Sequence, residues 1–112
     1  MQERNFTEAD WKLFRKKIPE WQEKYMERLN REYIQLLSDD CAPSEKFWEL
    51  ERRINEDKHR AGVCLNMTRS SMIRNVVQLI HEGAIKMSDL DDFSDTLKEA
   101  VCFVSGKTGN KE

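Results

Sequence analysis

The sequence is poor in the residues that interrupt regular structure. Its 112 residues include four glycines and two prolines, too few for the many turns of an all-β fold. No apolar run approaches the roughly 20 residues that a membrane-spanning helix needs, and we expect no signal peptide after Met1 because charged residues follow at once. The length and composition are those of a single helical domain.

Motifs that carry chemistry are also missing. The two histidines and three cysteines do not stand at metal-ligand spacing, and neither a Gly-rich phosphate loop nor a Gly-x-Ser-x-Gly turn occurs. We therefore expect no metal, no other cofactor and no enzymatic activity. Cys41, Cys64 and Cys102 form no C-x-x-C pair, which indicates free thiols in a reducing compartment and predicts a cytoplasmic protein. Apolar neighbours predict that Cys64 and Cys102 pack as small hydrophobic residues.

A long amphipathic helix dominates the first third of the chain. Thr7 and Asp10 have the spacing of an N-terminal capping box, and the helical pattern continues to Leu37. Pro19 lies within this pattern without changing its phase. Either the helix is kinked at Pro19 or it breaks near Lys17, and the unbroken phase favours the kink. The apolar stripe consists of Phe14, Ile18, Trp21, Tyr25, Leu29, Tyr33 and Leu36.

Three shorter helices are predicted after it. Ser44 is expected to cap the second helix, Gly83 to end the third, and Ser88 to cap the fourth. The second helix is expected to bury a stripe that consists of Phe47, Leu50 and Ile54.

The predicted fold is all-α, an antiparallel four-helix assembly with a long, proline-kinked first helix. A single domain spans residues 1–105, and residues 106–112 form a flexible C-terminal tail. A 30-residue helix spans about 45 Å, roughly twice the length of each later helix. The excess apolar face of helix 1 must be covered by the kink, by a second copy of the chain, or by a partner.

Charge is unevenly distributed along the chain. Residues 52–74 contain six basic against two acidic side chains, and residues 88–99 contain five acidic against one basic. The two segments either neutralise each other within the fold or leave a basic corner between helices 2 and 3 that contacts phosphates. The residues of this basic corner are Arg52, Arg53, Lys58, Arg60, Arg69 and Arg74.

The aromatic residues suggest a second kind of surface. Phe47 and Trp48 are neighbours about 100° apart on a helix, so they cannot both face one core. Trp48 is then either a contact residue or a boundary residue packed beneath long side chains. Trp11 is expected in the overhanging part of helix 1. Because Trp and Arg dominate protein–protein contacts, the predicted partner-binding residues are Trp11, Arg15, Trp48 and Arg52.

In overall type, the chain resembles the small, charged, all-helical proteins common on mobile elements and in phages of low-GC Gram-positive bacteria. This resemblance assigns no residue; it implies an accessory or inhibitory binding protein. We expect a cytosolic interaction module, a regulator or inhibitor, that binds a protein partner or forms a homodimer through helix 1. The alternative is a nucleic-acid-associated protein, in DNA binding or DNA processing, that uses the basic corner.

Overall fold

The computed structural model describes residues 5–108, and this range is helical without strands, as predicted. It contains four α-helices and two short 3-10 helices. The α-helices are α1 (Glu8–Ser38), α2 (Pro43–Asp57), α3 (Met72–His81) and α4 (Asp95–Thr108), and the 3-10 turns are Arg69–Ser71 and Met87–Leu90. The connections that follow α2 and α3 are longer than the short loops of a simple antiparallel bundle.

Helix α1 runs for 31 residues and continues through Pro19, which excludes the predicted alternative of a break near Lys17. Its capping box is confirmed. The Thr7 side chain accepts from the Asp10 N–H at 3.0 Å, and the Thr7 N–H donates to the Asp10 carboxylate at 2.9 Å. These two bonds satisfy backbone donors at the start of the helix.

The core lies against the N-terminal two thirds of α1. The aromatic rings of Phe14 and Trp21 meet edge to face at 6.2 Å between centroids, and Trp21 lies 6.2 Å from Phe93. Helices α3 and α4 supply the aliphatic partners. The fully buried side chains of this core are Phe14, Met72, Val76, Leu79, Leu90, Leu97 and Val101. The predicted stripe of α1 is therefore buried from Phe14 to Leu29.

The start of α4 differs from the prediction. Ser88 lies in a 3-10 turn, and α4 begins at Asp95. The Ser94 N–H and hydroxyl donate to the Asp10 carboxylate at 2.9 and 2.6 Å, and the Ser94 hydroxyl accepts from the Leu97 N–H at 3.1 Å. Asp10 thus caps α1 and fixes the cap of α4.

Helix α4 crosses the predicted C-terminal boundary of the domain at residue 105. Helix α4 continues to Thr108, so residues 106–108, which were predicted to belong to a flexible tail, are helical. The remainder of that predicted tail, residues 109–112, lies outside the described residues.

Helix α2 folds back along the C-terminal third of α1, and the two form a helical hairpin (residues 29–57). Ala42 caps α2 and Pro43 is its first residue, so Ser44 is not the cap. Lys46, near the start of α2, donates to the Leu37 carbonyl near the end of α1, and Asp57, at the end of α2, accepts from the earlier residue Tyr33. The two helices are therefore antiparallel. The chain measures 59 × 31 × 23 Å, and α1 alone spans about 46 Å of it. The hairpin therefore extends beyond the core.

The loop after α2 is held against α1 and α3. Gly62 lies so close to the Tyr25 ring that an added Cβ would overlap the ring atoms. The N–H groups of Ala61 and Gly62 donate to the Glu82 carboxylate at 2.9 and 3.1 Å. Gly83, with φ of +78°, follows α3 as predicted.

Candidate interaction surface

A buried carboxylate joins the two helices of the hairpin to each other. Asp57 is 2% exposed and accepts from the Tyr33 hydroxyl at 2.6 Å, from Arg60 Nε at 3.0 Å and from Arg53 Nη2 at 3.3 Å. Arg53 also donates to Glu32 at 2.7 Å. Burial alone would raise the Asp57 pKa, but the bonds from Tyr33 and Arg60 and the two guanidinium charges outweigh it and lower that pKa.

The same contact shifts the pKa of the Tyr33 hydroxyl in the opposite direction. Burial, the hydrogen bond to Asp57 and the negative charge of Asp57 together raise the pKa of Tyr33 to about 12. The Arg53 guanidinium lies 5.4 Å from the Tyr33 ring centroid. The contact between α1 and α2 at this end of the hairpin is therefore formed by polar groups.

Helix geometry shows which residues lie on the two remaining sides of the hairpin. Tyr33 faces α2 through its bond to Asp57, and Lys46 faces α1 through bonds to the carbonyl groups of Leu37 and Asp39 at 3.0 and 3.2 Å. Ile34 and Phe47 each follow one of these inward residues and lie about 100° further round. Seen from one end, successive residues of two antiparallel helices rotate in opposite senses. The step from Tyr33 to Ile34 and the step from Lys46 to Phe47 therefore lead to the same side of the hairpin.

That side is apolar and exposed. We call it the apolar face, and it consists of Ile34 (64% exposed), Leu37 (45%), Phe47 (62%) and Ile54 (42%), bordered by Trp48 (61%). The Phe47 and Trp48 rings meet edge to face with centroids 4.9 Å apart. Together these side chains expose roughly 500 Å², as much as the largest apolar patch of a typical monomer.

The exposure of this face corrects the sequence prediction for α2. Phe47 and Ile54 were expected to be buried with Leu50, yet Phe47 and Ile54 are exposed and Leu50 is half-buried. Lys46, Arg53 and Asp57 occupy the inward positions instead.

The opposite side of the hairpin is ionic. Arg52 donates to both Glu49 and Glu56, the latter at 2.7 Å, and the hydrogen bond from Arg52 lowers the pKa of Glu49. A depression of about 250 Å³ on this side is lined by Leu36, Asp39, Cys41, Glu45, Lys46 and Glu49. The predicted contact residue Arg52 is thus paired within its own helix, away from the apolar face.

Most arginines of the basic corner are paired with acids. Arg53 and Arg60 bind Asp57, and Arg69 binds Glu8 at 2.6 Å. Arg74 donates to the Ser71 hydroxyl at 3.4 Å. Lys58 is exposed at the end of α2. The structure therefore spreads these six residues over the hairpin, the loop and α3, and their charge is largely balanced locally.

Trp11 is a core residue. It is 6% exposed and belongs to the main apolar cluster, so the prediction that it lies in an overhang is wrong: the overhang is the other end of α1. Arg15 and Arg69 cover its ring, with guanidinium carbons 5.8 and 5.3 Å from the ring centroid. Arg15 is exposed beside it, and Trp48 is the predicted partner residue that borders the apolar face.

A second depression, of about 260 Å³, lies between the loop after α2 and α3. Its polar side chains hold the loop: Asn75 donates to the Asn66 carbonyl at 3.0 Å, and Glu82 accepts the backbone bonds described above. Cys64 on its rim is exposed, as are Cys41 and Cys102, so the expected packing of Cys64 and Cys102 is wrong.

Across residues 5–108, no group of three or more His, Cys, Asp or Glu side chains is placed to hold a metal ion. Within the same range, none of the helices combines the length and the apolar character required to cross a membrane.

Comparison of the chain with protein-family models, with curated proteins and with solved structures finds no match. The case for a function therefore depends on the surface itself.

The sequence contained a signal for the apolar face. Ile34 directly follows Tyr33 and lies about 100° from it, whereas Leu37 lies about 40° from Tyr33, at the edge of the apolar stripe of α1. Apolar residues on two sides of one helix indicate a second contact surface, and the prediction did not use them.

Proposed function

We propose that the protein is an interaction module that binds a protein partner through the apolar face of the hairpin. The supporting observation is the cluster of Ile34, Leu37, Phe47 and Ile54, exposed on one side of a projecting helix pair and bordered by Trp48. A contiguous apolar patch of this size is often functional. A projecting pair of helices can also reach a partner without distortion of the core.

The charge pattern supports this proposal over nucleic-acid binding. Phosphate recognition needs unpaired cations on one surface, whereas Arg52, Arg53, Arg60 and Arg69 each contact a carboxylate. The exposed free thiols fit action in a reducing compartment such as the cytoplasm. We further propose that occupancy of the partner's surface regulates or inhibits that partner.

Site-specific photocrosslinking tests the proposal. Trp48 is replaced by p-benzoylphenylalanine in cells that produce the protein naturally, and Phe103, an exposed aromatic on α4, receives the same group as a matched control. We expect a discrete protein adduct from position 48 that is absent from position 103, and that is lost when Phe47→Ser is added. Absence of any protein adduct from position 48 would refute the proposal.

The nucleic-acid alternative has its own assay. Substitution of Arg52, Arg53 and Arg60 by alanine removes three cations from the basic corner. A protein that binds phosphates through them would lose affinity for a DNA duplex in this variant, and its affinity would fall steeply with salt. We expect weak duplex binding that is the same in the wild type and the triple variant.

A further inference from the structure

We propose that the occupant of the apolar face is a second copy of this chain, packed face to face about a two-fold axis. This inference rests on the proposed function, because it names the protein partner that the apolar face binds. Two antiparallel helices with one exposed apolar side are half of a four-helix bundle. Two hairpins pressed together through these sides complete that bundle.

The area of the face agrees with this arrangement. Phe47 and Ile54 are seven positions apart, so the face is about 10 Å long and two helices wide. If each copy covers roughly 500 Å² of apolar surface, the pair buries about 1,000 Å², and the polar rim adds to it. That total reaches the roughly 1,000 Å² expected of a biological interface, at the small end of the range.

The polar residues near the face also fit a second copy. On α2, the 100° rotation per residue places Glu51 and Lys58 on the same side as Phe47 and Ile54, and they carry opposite charges. The acidic network around Arg52 lies on the other side of the hairpin, where it does not oppose association. Together, Glu51 and Lys58 therefore add no net charge to this side of α2.

Charge at the two ends of the face selects the orientation. The tip of the hairpin carries Asp39 and Asp40, and the base carries Lys58, all exposed. A two-fold axis through the middle of the face, near Ile34, places the tip of each copy beside the base of the other. The antiparallel arrangement thus brings Asp40 of one copy towards Lys58 of the other, whereas a parallel arrangement would bring like charges together.

Sedimentation equilibrium of the full chain, with light scattering on a gel-filtration column, tests this inference. We expect the wild type to have the mass of a dimer at micromolar concentration. Phe47→Ser should raise the dissociation constant at least tenfold, while Phe103→Ser, a control at an equally exposed phenylalanine of α4, should leave it unchanged. Because Phe47 lies outside the core, circular dichroism should show both variants folded.

A charge reversal tests the orientation separately. Lys58→Glu and Asp40→Lys should each weaken the dimer, and the variant that carries both should recover the wild-type dissociation constant. The inference would be overturned if Phe47→Ser left the dissociation constant of the dimer unchanged. It would also be overturned if the losses of affinity caused by Lys58→Glu and Asp40→Lys simply added in the double variant.

These experiments distinguish a failure of self-association from a failure of the proposed function. A monomer at all concentrations, with an adduct of another protein at position 48, would overturn the self-association and leave the proposed function standing. A monomer with no adduct at all would overturn both.

Discussion

Removal of the Asp57 carboxylate should loosen the base of the hairpin. Asp57→Ala deletes the acceptor of the 2.6 Å bond from Tyr33 and of the bonds from Arg53 and Arg60. A hydrogen bond to a charged group contributes about 1.5 kcal/mol or more. The two arginine contacts are discounted to about 0.5 kcal/mol each, because both guanidinium groups are partly exposed. We therefore expect a loss of about 2–3 kcal/mol in the free energy of unfolding.

Urea denaturation followed by circular dichroism measures this loss, and Tyr33→Phe completes a double-mutant cycle with Asp57→Ala. Because the hydroxyl and the carboxylate contact each other directly, the two losses should fail to add by about 1 kcal/mol. A loss below about 0.5 kcal/mol for Asp57→Ala, or full additivity within the cycle, would show that the buried carboxylate does not hold the hairpin.

The same pair predicts a pH dependence with two windows. The folded pKa of Asp57 lies below its unfolded value, so its contribution is present above about pH 4 and is lost as the pH falls through the folded pKa. The pKa of Tyr33 is raised to about 12, so its contribution is present below about pH 10 and is lost as the pH rises towards 12. The stability difference between wild type and Asp57→Ala should therefore narrow in acid, and Tyr33→Phe should remove the part of the alkaline decline that Tyr33 contributes.

Three further substitutions test the core and its connections. Phe93→Ala removes a buried ring beside Trp21 and should cost about 3–5 kcal/mol in chemical denaturation. Gly62→Ala forces a Cβ into the Tyr25 ring and should cost about 1–3 kcal/mol, read as a lower melting temperature. Ser94→Ala removes the cap of α4 and should cost about 1–2 kcal/mol, with faster hydrogen exchange in the first turn of that helix.

Each of these has a result that contradicts it. Phe103→Ala is the control for Phe93→Ala, since an exposed ring should change stability by less than about 0.5 kcal/mol; equal losses at both sites would refute the assignment of the core. A neutral Gly62→Ala would show that the loop does not approach Tyr25 closely. Unchanged exchange in Ser94→Ala would show that α4 does not depend on this cap.

The core was predictable because its residues repeat with the helical period. The stripe from Phe14 to Leu29 is long and aromatic, and the capping box of Thr7 and Asp10 is a local pattern. Gly83 likewise marked the end of α3 in the sequence, because glycine readily adopts the positive φ that the chain has at this position. Features that depend on neighbours in sequence were accessible without a structure.

The start of α4 was not predictable in the same way. Ser88 and Ser94 are both reasonable caps, and the choice between them is made by Asp10, 84 positions earlier in the chain. A bond at that separation leaves no local pattern, so the prediction took the serine that stood before the acidic residues.

The apolar face was misassigned for a further physical reason. Periodicity identifies which residues of α2 share a side, but it does not reveal whether anything covers that side. Polar residues in contact with α1, above all Asp57, orient α2 so that Phe47 and Ile54 point outward. The hydrogen-bonded side is inside and the apolar side is outside, the reverse of the usual arrangement.

The long sequence separation between α1 and its core partners in α3 and α4 has a consequence for the order of events during synthesis. When α1 and α2 have left the ribosome, the hairpin can close through contacts within residues 29–57, since Tyr33 and Asp57 are both present. The aromatic residues Phe14 and Trp21 still lack their partners, which are made later in α3 and α4. For that interval the nascent chain exposes its core-forming surface as well as the apolar face, and this is the stage at which a chaperone would have most to bind.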